Sequence, residues 1–315
     1  MRATVPHPNV NAVLEERKDA GIPRFSTLSV DGARKLLAEL WAPPKNPEPV
    51  GSVRDITIDG PAGGIPIRIY TPDGSAPFPV LVYAHGGGWV MGGIDVDDGI
   101  CRALTNAARC VVVSVGYRHA PEHPFPAPVE DCYCATKWVV EHSGVVHGDP
   151  DRVAIGGESA GGNLAAAVAQ VARDCAEPDV AYQVLVTPIL DYSFDTPSYE
   201  EDPEQLVITK ADEEWVWDHY LESDLDGNNP YASPLRARDL RGLPPATIVT
   251  CGFDVLRDEG VEYAKRLDEA TVDVTHRHHD DLVHGFLGML DDPELRQARE
   301  AIAEIASDLQ QSFSG

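Results

Sequence analysis

Positive charge is scarce in this 315-residue chain: 25 Lys and Arg, only six of them lysine, face 51 Asp and Glu, for a formal net charge of −26. Phosphate backbones and anionic lipid surfaces are held mainly by Lys and Arg, so neither nucleic acid nor a membrane is an expected partner. Long apolar runs are missing too. Nothing approaches the roughly 18 consecutive apolar residues of a transmembrane helix. The first residues carry Pro6, Pro8, Asn9, Asn11, Glu15 and Glu16, where a secretory leader needs an unbroken apolar stretch; the expected location is the cytoplasm. Cysteine is sparse and wrongly spaced for a metal or redox motif. Of Cys101, Cys110, Cys132, Cys134, Cys175 and Cys251, the tight pair Cys132-Tyr133-Cys134 fits neither a zinc half-site nor C-x-x-C. Most lie in apolar patterns, which makes buried free thiols the expectation. Repeats and low-complexity tracts are absent, so the reading falls on local motifs.

The first is Gly157-Glu158-Ser159-Ala160-Gly161, set between the apolar run Val153-Ala154-Ile155 and the small-residue run Leu164-Ala165-Ala166-Ala167. A serine at a sharp strand-to-helix turn needs glycine-sized neighbours two positions away, and the helix that follows presents N–H groups and a positive dipole end. The second is His85-Gly86-Gly87-Gly88-Trp89, directly after a strand-like run. Consecutive glycines let backbone N–H groups turn toward a ligand unhindered by Cβ, as half of an oxyanion hole requires. An acid and a base follow: Asp254 at the end of the run 246–251 and its Gly252-Phe253 extension, and His284 in His284-Gly285-Phe286. The order Ser159, Asp254, His284 is that of an α/β-hydrolase triad.

Rivals exist for both partners. The run His276-Arg277-His278-His279 suggests a metal site, but neighbours on a strand point to opposite faces and no carboxylate or cysteine stands at ligand spacing. His85 more readily shapes the glycine loop than acts as a base. Asp258 and Glu259 open a helix, where the dipole alone accounts for them. Glu158 is expected to turn into the fold and make a structural hydrogen bond.

Together these blocks resemble the hormone-sensitive-lipase-like esterases, bacterial family IV. The resemblance rests on HGGGW at 85–89, YRHAPEHPFPA at 117–127, GESAGG at 157–162, DVLRDEG at 254–260 and HGF at 284–286. Two positions depart from the common pattern: Glu158, where Asp or Thr is usual, and His119, where Leu is. The resemblance implies a serine carboxylesterase of short-chain acyl esters. Ser159, Asp254 and His284 would be its triad, Gly87, Gly88 and Ala160 its oxyanion-hole donors, with no metal or organic cofactor. A lipase or an amidase shares this chemistry. A non-catalytic ligand receptor on the same fold characteristically loses part of the triad, and here all three residues are present.

Strand-like runs fall at 55–58, 65–70, 79–84, 110–115, 153–155, 183–186, 246–251 and 272–275, and helix-like runs at 97–108, 130–142, 160–173, 258–269 and 293–311. This alternation predicts an α/β-hydrolase fold with a mostly parallel eight-stranded sheet and helices on both faces, its first two strands antiparallel. Two pieces stand outside the alternation. Amphipathic stretches at 10–19 and 30–41, and an acidic, proline-interrupted segment with a helix-like run at 211–221, are implied by the resemblance to form a helical cap. The expected division is cap at 1–45, core at 46–194, cap again at 195–230, and core at 231–315. Trp215, Trp217 and Tyr220 are candidates to line an acyl pocket, although packing against the core explains Trp217 and Tyr220 better. A homodimer is compatible with the sequence but not specified by it.

The charge excess carries one more expectation. Solubility of a small domain needs a net charge of only about 2–8, and a larger excess repels itself at low salt. At about 1 M salt the Debye length is about 3 Å and most of that repulsion is screened. An acidic, lysine-poor surface resembles those of proteins from salt-accumulating cells, so a salt-adapted protein is expected.

Overall fold

The computed structural model describes residues 2–43, 46–201, 203–290 and 295–314. Eight strands form one sheet in the order β1-β2-β4-β3-β5-β6-β7-β8. They are β1 (Ser52–Gly60), β2 (Gly63–Thr71), β3 (Phe78–Ala84), β4 (Val111–Val115), β5 (Gly148–Glu158), β6 (Tyr182–Val186), β7 (Ala246–Phe253) and β8 (Val274–Val283). β2 is antiparallel to both β1 and β4, and every pair from β4 through β8 is parallel. Every residue of β4, β6 and β7 is buried, the pattern of parallel strands covered on both faces. The covering helices are α3 (Asp98–Ala108), α4 (Ala127–Glu141), α5 (Ala160–Cys175), α7 (Arg257–Glu269) and α8 (Arg296–Ser312). α3 packs with α8, and α4 packs with α5. The expected architecture is therefore present: an α/β-hydrolase fold with a mostly parallel eight-stranded sheet.

Several boundaries differ from the sequence reading. β8 was expected at 272–275 but runs to Val283, because its register with β7 carries the polar segment His276 to His279 along as an edge strand; side-chain pattern gives no signal when the pairing is made by backbone. β5 begins at Gly148, pairing with Phe78 of β3 across an irregularity. α4 starts one turn earlier than expected, with Pro128 in its first turn, where a missing N–H costs nothing. Of the last helix, the expected residues Pro293 and Glu294 lie outside the described residues, as do Pro44 and Lys45 at the expected 45/46 boundary and Asp202 within 195–230. Of the six cysteines, all free, Cys101, Cys110, Cys132 and Cys251 are buried, Cys134 is half-buried and Cys175 is exposed. Among the described residues no helix is long and apolar enough to cross a membrane.

The two pieces outside the alternation meet each other. The first carries α1 (Pro8–Asp19) and α2 (Val30–Leu40), the second α6 (Lys210–Tyr220), and the link between them is polar. Arg24 donates to the carbonyls of Pro203, Leu206 and Val207 at 2.6, 3.0 and 3.1 Å. Asp212 Oδ1 accepts from both the N–H and the hydroxyl of Ser26 at 2.9 Å, while its Oδ2 closes a capping box with Thr209 at the start of α6. The other face of α6 is anchored by aromatics. Tyr220 stacks on Trp89 at 3.9 Å between centroids, and Trp217 meets Trp89 edge-on at 4.7 Å. Trp217 is fully buried, so Trp217→Ala should cost about 3–5 kcal/mol, read as a lowered urea midpoint. A loss under about 1 kcal/mol would mean that the Arg24 and Asp212 links hold α6 without the aromatic cluster.

Candidate active site

The site is built at the carboxyl ends of β3, β5, β7 and β8. Ser159 joins β5 to α5 with φ 58° and ψ −120°, a conformation that costs a non-glycine residue about 1–3 kcal/mol. Close packing of α5 on β3 enforces it. A Cβ on Gly161 would fall 1.9 Å from the Ala84 carbonyl oxygen, and one on Gly157 would fall 2.4 Å from the same atom. The turn is pinned by the Ser159 N–H on Val186 O at 2.8 Å and by Ile189 N–H on Ser159 O at 3.3 Å. The hydroxyl-bearing residue is only 7% exposed.

Asp254 and His284 come together by strand register. Phe253 and Val283, the last residues of β7 and β8, are paired, so the next residue of each strand leaves from the same end of the sheet. His284 Nδ1 lies 3.0 Å from Asp254 Oδ2, and the Leu256 N–H donates to Asp254 Oδ1 at 3.0 Å. Gly285, at φ 77°, then turns the chain away. The glycine loop leaves from the end of β3, with Gly87 at φ 113° and Gly88 at φ 60°. A Cβ on Gly88 would lie 2.4 Å from Val216 of α6. Among the described residues the N–H groups of Gly87 and Gly88 have no protein acceptor. Ala160 is the first residue of α5, where a helix N–H has no intrahelical partner.

Ser159, His284, Gly86, Gly87, Gly88 and Glu158 line one half-open cavity of about 80 Å³ together with Phe25, Leu37, Trp41, Val207, Ile208 and Val216. Asp254 stands behind the imidazole, buried. A hydroxyl, a carboxylate-held imidazole and unoccupied N–H donors around one small space are the parts acyl transfer uses.

The cavity also holds carboxyls that sequence reasoning misplaced or missed. Glu158 does not turn away into a structural hydrogen bond. It lines the cavity, and among the described residues its Oε1 has no hydrogen-bond partner. Burial, with the charge of Asp97, pushes Glu158 up to about 8. Asp97 is lifted by burial to about 6, held back by the Gly86 N–H at 3.3 Å. Glu213, on α6, is buried, its Oε2 unpartnered among the described residues, and burial pushes it well above the ordinary value. No sequence signal marks Glu213, since a carboxylate in the first turn of a helix needs no other reason. Burial alone would depress His284, but the charge and hydrogen bond of Asp254, aided by Glu158 and Glu213, raise it to about 9.

The family model described by its α/β-hydrolase fold matches residues 81–288. Esterase LipI of Mycobacterium tuberculosis is 42% identical over 288 residues, covering 89% of each chain. The chain belongs to the hormone-sensitive-lipase-like esterases of the α/β-hydrolase superfamily. A second relative of this esterase family, carboxylic ester hydrolase LipN of the same organism, is 46% identical over 243 residues, 75% of this chain and 65% of that protein, so the match spans just under two thirds of its length. Among solved structures, an ester hydrolase from the metagenome of Lake Arreo, complexed with a bipyridine phosphonate derivative, superposes with a TM-score of 0.92 at 36% identity. That match covers 99% of this chain and 100% of the other.

Other candidate residues of this esterase fall outside the cavity. Trp217 and Tyr220 pack into the core, and Trp215 lies against His219 at 4.3 Å between centroids; none of the three lines the cavity, whose α6 wall is Asp212, Glu213 and Val216. His85 is fully buried, stacks on Tyr117 at 4.2 Å and contacts Gly86 O at 2.7 Å, and burial lowers its pKa to about 3. It is a neutral brace for the glycine loop. His119, the departure from the family pattern, meets His85 Nε2 at 3.4 Å. His276 and His278 both meet Thr250 Oγ1 at 2.9 Å, and His279 packs on Phe286. Among the described residues no cluster of three or more His, Cys, Asp or Glu is arranged to hold a metal ion. Asp258 and Glu259 do more than favour a helix dipole. Asp258 accepts the Ser198 N–H at 2.9 Å, and Glu259 accepts from Leu190 N, Asp191 N and Tyr199 Oη at 2.7, 3.0 and 2.7 Å.

Raised folded-state pKa values fix the sign of the pH response. Stability from a group raised on folding is complete below its unfolded pKa and is lost as pH rises through the folded value. For Glu158 that window runs from 4.5 to about 8, and for His284 from 6.5 to about 9. Burial acts in the opposite sense on His85 and His119, lowered to about 3 and about 4, whose contribution rises with pH and is complete above 6.5. The melting temperature should therefore fall between about pH 7 and pH 9, where only the raised groups still change. Glu158→Gln, a neutral isostere, should make the fall shallower; an unchanged slope would show that Glu158 is ionised throughout.

Proposed function

We propose that this carboxylic ester hydrolase cleaves short-chain acyl esters through an acyl-enzyme on Ser159. His284 takes the proton from Ser159 Oγ, while Asp254 fixes the imidazole tautomer and stabilises its charge. The oxyanion is bound by the N–H groups of Gly87, Gly88 and Ala160, each donor contributing about 3 kcal/mol. Water then attacks the acyl-enzyme with His284 as base, and the acid leaves. The observation that carries this reading is the 3.0 Å contact of His284 Nδ1 with Asp254 Oδ2 behind a cavity shared by Ser159, His284 and the two glycines with unpaired N–H groups. Residues 1–45 and 195–230 act as the cap, which the lining of the cavity by Phe25, Leu37 and Trp41 of the first and Val207, Ile208 and Val216 of the second supports. The cavity volume of about 80 Å³ falls well below the ~300–1,000 Å³ of sites for drug-sized ligands and favours short acyl chains over the long chains of a lipase.

One experiment tests the chemistry. On p-nitrophenyl esters of rising acyl length, kcat/KM should peak between about two and six carbons. Ser159→Ala and His284→Ala should each lose at least about 10³-fold while remaining folded, and His279→Ala should stay active. Near-parental hydrolysis by Ser159→Ala would remove the nucleophile assignment, and a rate climbing steadily to long-chain triglycerides would favour a lipase.

Salt adaptation is the second part of the proposal, supported by the net charge of −26. Melting temperature and activity should both rise from low salt to molar KCl, as screening relieves carboxylate repulsion. Chloride is the suitable salt, since sulfate stabilises folds generally by exclusion. A melting temperature that stays flat or falls across that range would leave the charge as an aid to solubility.

A further inference from the structure

The described residues lining the cavity at Ser159 include four carboxyls, Asp97, Glu158, Asp212 and Glu213, and no lysine or arginine. Two of the four have protein donors. Asp212 accepts from Ser26 with one oxygen and from Thr209 with the other, and Asp97 accepts the Gly86 N–H at 3.3 Å. Glu158 and Glu213 differ. Each is more than nine-tenths buried, at 6% and 4% exposure. Each also keeps an oxygen, Oε1 of Glu158 and Oε2 of Glu213, with no hydrogen-bond partner among the described residues.

The two come from separate elements. Glu158 ends β5 next to the nucleophile. Glu213 lies on α6 one turn before Val216, and Val216 packs over Gly88 of the glycine loop. A buried carboxylate is costly unless it is paired, so such a group keeps its proton or takes a counter-charge. Burial accordingly pushes both glutamates up. The imidazole of His284 is the one basic side chain among the described lining residues, and Asp254 holds it at 3.0 Å. The lining therefore lacks a cation for two free carboxyl oxygens. An ammonium suits a small space better than a guanidinium does, being a compact point charge with donors pointing several ways. Long-range charge acts in the same sense, since a net charge of −26 draws cations toward the chain. A neutral polar group gains nothing from that field.

On the esterase reading above, which this extends, we propose that Glu158 and Glu213 form a cation subsite within the acyl cavity. The favoured esters then carry an ammonium at the end of a short acyl chain, as esters of small amino acids do. Each free oxygen gains a charge-assisted hydrogen bond, and Glu213, which no other part of the acyl-transfer chemistry uses, is the selecting residue.

Three ethyl esters with acyl groups of equal heavy-atom count make the test: butyrate, 3-hydroxypropionate and 3-aminopropionate, ending in methyl, hydroxyl and ammonium. Each kcat/KM, measured near neutral pH, is divided by the hydroxide-catalysed rate of the same ester to remove intrinsic reactivity. The parent should favour 3-aminopropionate over butyrate at least about tenfold, the scale of a hydrogen bond to a charged group. Glu213→Gln keeps the shape and removes the charge, and should cut that ratio at least about fivefold; Glu158→Gln should lower it too. Both rates come from one preparation, so partial unfolding of a variant leaves the ratio unmoved. A parent that prefers butyrate would overturn the assignment, as would a ratio indifferent to Glu213→Gln. A parent that ranks 3-hydroxypropionate first would also overturn it, by showing the acids to act as neutral donors. Choline butyrate against 3,3-dimethylbutyl butyrate supplies the last arm: a cation preference confined to the alcohol side would remove the subsite from the acyl cavity. Failure of the parent on all of these esters would count against the esterase reading itself, a different result.

Discussion

The whole site depends on how closely α5 approaches the end of β3. The Ala84 carbonyl oxygen occupies the space that side chains at both Gly157 and Gly161 would need. Because the helix is seated there, the residue between strand and helix has to take up φ 58°, and that residue is Ser159. The same β-strand end releases the glycine loop one residue later, at His85. One close contact thus places the serine and the glycine loop side by side at the edge of one small volume. The strain at Ser159, about 1–3 kcal/mol, is held by an almost completely buried helix, in which Ala160 through Gln170 are all buried.

Strand register supplies the rest. Asp254 and His284 are 30 residues apart in sequence, yet each follows one member of the Phe253–Val283 pair, so no special device is needed to bring them together. The opposite wall is made by segments that sit outside the β/α alternation. They are held to one another by Arg24 and Asp212 and to the core by Trp89, Trp217 and Tyr220. A chain with so many acids also places several in the site. Asp97, Glu158 and Glu213 are all buried there, and burial pushes each toward its neutral form. The imidazole moves the other way, because Asp254 outweighs the desolvation that would depress it.

Much of this was legible in order along the chain. The strands from 79–84 to 246–251 were clear because fully buried parallel strands are written as continuous β-branched runs, as in Val111-Val112-Val113. The serine turn was legible because glycine is demanded where backbones approach closely. β8 was only half visible: its outward residues are polar and its order comes from hydrogen bonds to β7, which side-chain pattern does not encode. Glu158 was misread for a related reason, since adjacency to Ser159 does not say which way a side chain leaves a strained turn.

What the sequence determined by itself was the inventory and its order: the serine between glycines, the glycine loop, the acid, the base, and a sheet able to carry them. Each is a local demand, met by residue types within a few positions of one another. The tertiary structure alone decided which side chains share the cavity. Glu213 and Val216 enter it while Trp215, Trp217 and Tyr220 do not, because helix phase is set by the aromatic packing on Trp89 rather than by composition. It alone placed Trp41, 243 residues before His284 in the chain (284 − 41), against Gly285 and Gly288. Contacts between segments so far apart are fixed by the packing of the whole fold, and no local pattern of residues records them.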